Sequence, residues 1–139
     1  MIVFDKIKAM PSSSFIENQK KVYKTLQSCF CPAIQETVHF TSEGLNHLLY
    51  HRRRPRNHDE RHYRAGLIPY LTVVINNSTR AVKEIKSENP LVVVWLLSHE
   101  ININNKRQIV KVILSQKGAG KVKFLSAMRK KYTFRAKAN

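Results

Sequence analysis

Acid is scarce in this sequence. Nine Asp and Glu stand against 25 Lys and Arg, and none of the nine lies beyond Glu100. The formal charge of +16 points to a polyanionic partner, nucleic acid first and an acidic protein second. Long apolar runs are also missing. The longest, Leu91 to Leu97, has seven residues, where a membrane-spanning helix needs roughly 20, so the chain does not read as an integral membrane protein. The opening MIVFDKIKAMPSSS lacks the apolar stretch of a secretion signal. Cysteine is limited to Cys29 and Cys31. A bridge across one intervening residue is strained, and two thiols do not complete a zinc site, so both read as packed thiols in a reducing compartment. Repeats, Gly/Ser linkers and low-complexity blocks are absent. With 139 residues and 42% apolar content, the chain can build a packed core and reads as one domain, 1–139.

What is present falls into an N-terminal helical segment, 1–36, and an α+β core, 37–139. Ser14 and Glu17 have capping-box spacing, and Phe15, Val22, Leu26 and Phe30 follow at helical spacing. These predict a helix from about Phe15 to Cys29, ended before Pro32. Val38 and Phe40 suggest a short strand over Thr37–Thr41. Ser42 and Glu43 suit a helix start, Leu45, Leu48 and Leu49 give it an apolar stripe, and Pro55 bounds it. A second helix is predicted from about Glu60 to Val74, kinked or broken at Pro69. Four strands follow over Thr79–Lys86, Leu91–Leu97, Arg107–Leu114 and Lys121–Met128, separated by turn-like stretches. Connections this short predict an antiparallel meander. The expected architecture is α+β, with the N-terminal helices on one face of a four-stranded antiparallel sheet and the other face open.

Two basic zones stand out. His51 to Arg64 holds six Arg and three His, and the stretch after Glu100 holds eleven Lys and Arg with no acid. Surfaces built for solubility mix both signs, whereas Arg forks and Lys ammonium groups suit phosphate oxygens. The candidate RNA contacts are Arg52, Arg54, Arg56, Arg64, Lys121, Lys123, Arg129 and Lys130. His47 and His51 are four apart. On the predicted helix they lie within about 40° of each other, on one face, away from the Leu45, Leu48, Leu49 stripe. Acid and cysteine ligands do not cluster around them, so no metal site is expected. Imidazoles beside Arg52, Arg53 and Arg54 suit acid–base work at a phosphate. One group would take the 2′-OH proton, another would protonate the leaving 5′-oxygen, and cations would hold the charge between them.

The stretch from Thr37 to about Met128 resembles the nucleases of the barnase, EndoU, colicin and RelE-like superfamily, notably the branch carried by phages and contact-dependent toxins. The resemblance rests on the H-x-x-x-H helix with Arg (His47, His51, Arg53), the Ile68-Pro69 step, four following strands, and K-F-L-S in the last of them (Lys123 to Ser126). Ser126 stands where such nucleases usually carry Thr, and still supplies a hydroxyl. The resemblance implies a site of His47, His51, an Arg of the 53–54 pair, and Ser126 with a nearby Lys, on the open sheet face. Strict alternation puts Val122, Phe124 and Ser126 on one face and Lys123 on the other, so Lys123 and Ser126 share a site only across a bulge.

The leading expectation is a metal-independent endoribonuclease toxin, with catalytic His51, His47, Arg53 and Ser126 and no cofactor. Its substrate would be RNA, with transfer RNA one candidate, cleaved through 2′-OH attack to a 2′,3′-cyclic phosphate. It would work in the cytoplasm of a host or target cell, delivered within a larger toxin if secreted. An acidic immunity protein or antitoxin is its expected partner, and no membrane association is expected. Two alternatives are a non-catalytic nucleic-acid-binding module of a mobile element and an effector that binds an acidic host protein.

Overall fold

The computed structural model describes residues 12–51, 54–85 and 91–129. Helix α1 (Ser12–Lys24) begins before the expected cap, so Ser14 lies within it, and Glu17 pairs with Lys20 at 3.1 Å. Phe15, Ile16 and Tyr23 form its buried stripe. It ends five residues earlier than Cys29, because Cys29–Cys31 is a strand, β1, paired antiparallel with β2 (Glu36–His39).

Helix α2 (Ser42–Leu49) is capped by Thr41, whose hydroxyl accepts the Gly44 N–H at 3.4 Å. It is shorter than its apolar spacing allowed. Tyr50 turns extended, and β3 (Tyr50–His51) pairs with β4 (Arg54–Pro55) in a small ribbon. Arg56 closes the helix end: its Nε donates to the Leu48 carbonyl at 3.0 Å and its Nη2 to the His47 carbonyl at 2.8 Å. Those last-turn oxygens have no acceptor role within the helix, so a cation there satisfies them and complements the helix dipole.

Helix α3 (His58–Gly66) is capped by Asn57, whose side-chain oxygen accepts the Glu60 N–H at 2.9 Å. Pro69 breaks the expected long helix, which resumes as a 3₁₀ turn (Ile68–Tyr70) and α4 (Leu71–Asn77).

The expected meander exists, as β5 (Ala81–Ile85), β6 (Val92–Ile103), β7 (Lys106–Lys117) and β8 (Val122–Arg129), each antiparallel to the next. Among the described residues, however, the sheet has six strands and not four, in the order β1-β2-β8-β7-β6-β5, and it is mixed, because β2 runs parallel to β8. The central hairpin is longer than expected. Alternation continues through Ser98 to Ile103, and Asn104 and Asn105 take positive φ (54° and 65°) in a two-residue turn.

One face of this sheet is buried. Leu97, Val110, Val112, Leu114 and Phe124 meet Leu48, Leu49, Leu67, Ile68, Leu71, Val74 and Ile75 from the helices. Each such Leu, Ile or Phe contributes about 1.5–3 kcal/mol. The helix α2 backbone comes close to β8 at Gly44, where a Cβ would stand 2.8 Å from Phe124 Cδ2 and 2.9 Å from the Tyr23 hydroxyl.

Candidate nucleic-acid interface

The described part of the basic C-terminal third, 101–129, lies mainly on strands, so the spacing of its cations is fixed. Lys106, Arg107, Lys117, Lys121, Lys123 and Arg129 are all exposed. Arg107 pairs with Glu100 at 2.8 Å, and the Arg129 guanidinium lies 4.0 Å from the Tyr63 ring centroid. In that geometry the charge is held without being neutralised.

The expected histidine pair does not share a helix face. His47 lies in the last turn of α2, 53% exposed, with Nε2 4.0 Å from a Glu43 carboxylate oxygen. His51 follows on β3, where the chain is extended, so its helical phase relative to His47 is lost. Arg52, Arg53 and Lys130 lie outside the described residues, as do the side chains of His51 and Arg54.

Ser126 and Arg64 are placed together, in the interior. Leu114 pairs with Phe124 but Ile113 pairs with Ser126, so β8 bulges at Leu125. The bulge turns Ser126 and Ala127 inward in succession. It does not unite Lys123 with Ser126, since Lys123 is exposed and Ser126 is 6% exposed. Arg64, 3% exposed, reaches the bulge from α3. Its Nη1 donates to Ser126 Oγ at 3.1 Å and to the Ala127 carbonyl at 3.0 Å, and its Nε donates to Glu60 Oε2 at 2.6 Å. Arg64 is therefore a core residue that fixes the bulge, not a surface contact for phosphate as its sequence neighbourhood suggested. Ser126 Oγ serves as its acceptor and does not line the open sheet face. Arg56, likewise read as an RNA contact, is engaged in capping α2.

A groove that the sequence did not disclose lies among α1, α3, the 3₁₀ turn and the tip of the β6–β7 hairpin. Its volume is about 510 Å³. Aromatic walls come from Phe15, His62, Tyr63 and Tyr70, and amides from Gln19, Asn104 and Gln108. The Phe15 and His62 rings stack at 4.3 Å, and His58 continues the stack at 6.2 Å from His62. Tyr63 donates its hydroxyl proton to Gln108 Oε1 at 2.8 Å. Burial pushes the Tyr63 phenol up, against the opposing pull of Arg129. These residues span Phe15 to Gln108, so no local motif announces them. The one available signal was the second i, i+4 histidine pair, His58 and His62, which α3 does place on one helix.

Among the described residues, no group of three or more His, Cys, Asp or Glu could hold a metal, and no helix is long and apolar enough to cross a membrane. No family profile, curated protein or solved structure matches the chain.

Proposed function

We propose that this chain is a metal-independent endoribonuclease toxin. The observation that carries the RNA half of the reading is the row of exposed cations on β7, β8 and their flanks, in a third of the chain without a carboxylate. A duplex or single strand presents regularly spaced phosphates, and strand-borne Lys and Arg meet them with release of counterions. The catalytic half rests on His47, exposed at the end of α2 beside the buried Leu48 and Leu49, and on His51, four residues on at the start of the Arg-rich segment. One imidazole takes the 2′-OH proton as the 2′-oxygen attacks phosphorus. The other protonates the departing 5′-oxygen, leaving a 2′,3′-cyclic phosphate. Transfer RNA is the substrate class put forward, in the cytoplasm of the target cell.

A second reading, a non-catalytic nucleic-acid-binding module, is favoured by one observation: exposed His47 and buried Ser126 do not meet. Labelled RNA incubated with the protein and EDTA separates the two. Fragments ending in cyclic phosphate support the nuclease, whereas a salt-sensitive shift without fragments supports the module. His51→Ala is expected to slow single-turnover cleavage about a hundredfold, the usual scale of acid–base catalysis, with RNA affinity changed by less than about tenfold. Full activity in both His47→Ala and His51→Ala proteins refutes the catalytic assignment. As a toxin the protein needs an inhibitor. An acidic one, docked over the open sheet face and His51, matches the charge and would associate more slowly as salt rises.

A further inference from the structure

The groove among α1, α3, the 3₁₀ turn and the β6–β7 hairpin has no part in the acid–base chemistry assigned to His47 and His51. We infer that it holds one unstacked base of a single-stranded RNA segment, while Lys106 and Arg129 at its rim hold the neighbouring phosphates. This rests on the RNA reading above and adds the form of RNA that is bound.

Three features carry it. The first is shape and size: about 510 Å³ lies within the range of small-molecule pockets, roughly 300–1,000 Å³, and accommodates a nucleobase with its sugar. The second is the wall chemistry. Tyr70 lines the groove half-buried, and its ring stacks on no other ring among the described residues. It is a free π-face of the kind that single-strand-binding proteins present to bases. Around it are the groups that read a base edge: the Asn104 and Gln108 amides, and a Gln19 side-chain oxygen that is buried without a donor. A buried acceptor without a partner is costly to maintain, and ring nitrogens and exocyclic amines of bases supply N–H donors.

The third feature is charge placement. Lys106 and Gln108 are two apart on β7 and so point to the same face, that of Val110 and the groove. Arg129 is paired with Val110 and lies over the Tyr63 ring in the groove wall. Cations therefore stand at the rim while aromatic rings and amides line the interior, the arrangement a nucleotide requires. A hydrophobic peptide would find no use for the rim, and a duplex, whose bases are stacked on both sides, would have no base to insert.

The test uses full-length protein and 2′-O-methyl RNA, which binds but lacks the hydroxyl needed for cleavage. Affinities are measured for a labelled single-stranded 12-mer, the duplex of the same sequence, and a mononucleotide. Tyr70→Ala and Tyr70→Leu are expected to weaken single-strand binding about tenfold or more, the scale of one lost base–aromatic stack, and to leave duplex binding within about twofold. An equal loss for single strand and duplex, or no loss in either folded variant, overturns the inference. So does a mononucleotide that binds as tightly as the 12-mer, which would make the groove a site for free nucleotide. A wild-type protein that binds no RNA of any form overturns the RNA reading itself, which is a distinguishable result. Should the variants fold poorly, photocrosslinking of a 5-bromouridine 12-mer to the wild-type protein decides: attachment to His62, Tyr63 or Tyr70 is expected, and attachment only elsewhere is refuting.

Discussion

Replacing Arg64 is the most informative perturbation of the interior. The residue is 3% exposed and makes three polar contacts, to Glu60, Ser126 and the Ala127 carbonyl. Arg64→Ala removes all three, leaves the buried Ala127 carbonyl without this donor, and strands a carboxylate that is itself 24% exposed. Breaking a buried ion pair typically costs about 3–5 kcal/mol; partial solvation of Glu60 places this case near the lower end, about 3 kcal/mol. Ser126→Ala removes one acceptor while Arg64 keeps the other two, so about 1–2 kcal/mol is expected. Because the side chains form one network, the double variant should lose less than the sum of the two single losses. Urea unfolding of all four proteins, followed by circular dichroism, measures each term. A loss below about 1 kcal/mol in Arg64→Ala, or strict additivity in the cycle, would refute the view that this cluster pins the β8 bulge. A Ser126→Ala protein that keeps full stability while losing RNA cleavage would reverse its role, from acceptor in the core to reacting group.

Three further outcomes can be checked directly. Gly44→Ala places a methyl group against Phe124 and Tyr23. An overpacking cost of about 1–3 kcal/mol should outweigh the gain of up to about 1 kcal/mol in helix propensity, lowering the urea midpoint. The Cys29 thiol is pushed up to about 11 by burial and by its neighbour Cys31, and Cys31 is raised by burial too. Thiolate is therefore minor at pH 8, and alkylation of native protein should speed up about tenfold per pH unit toward the raised value while the fold persists. RNA affinity should fall with salt on a log–log slope of magnitude about 4 or more if about five phosphates are neutralised, and a flat dependence in a filter-binding titration would exclude the polyanion reading.

The parts of this fold that were legible in sequence are those written locally. The meander could be read because turn-like stretches punctuate four alternating or β-branched runs, and Pro69 announced its own break. Of the β1–β2 extension, β2 was legible in the alternation of Val38 and Phe40, but β1 was not: it has three residues, and Phe30 continued a helical spacing that the fold abandons at Lys24. The shortening of α2 is tertiary in origin: Tyr50 and His51 take partners from Arg54 and Pro55, and that choice dissolved the expected face shared by His47 and His51. Charge conveyed the general character of the surface, but not the assignment of each residue. Arg56 and Arg64 sit in the same basic run as Arg52 and Arg54, yet one caps a helix and the other is buried, because only three-dimensional packing decides which cation faces water. The groove was hidden for a similar reason, its walls coming from three separated stretches of chain.

The parallel join between β2 and β8 has a consequence for when the molecule can exist. Val38 and His39 take their partners from Val122 and Lys123, so the strand that ties β2 into the sheet is made 84 residues later. During synthesis at roughly 5–20 residues per second, the β6–β7 hairpin can close early through contacts near in sequence. Helix α2, by contrast, emerges long before Phe124, the side chain it packs against. Assembly therefore awaits synthesis of β8. A nascent chain stalled before about residue 122 would hold the basic segment His51 to Arg64 without the architecture that positions it, and a synthetic β8 peptide added in trans is the natural candidate to restore it.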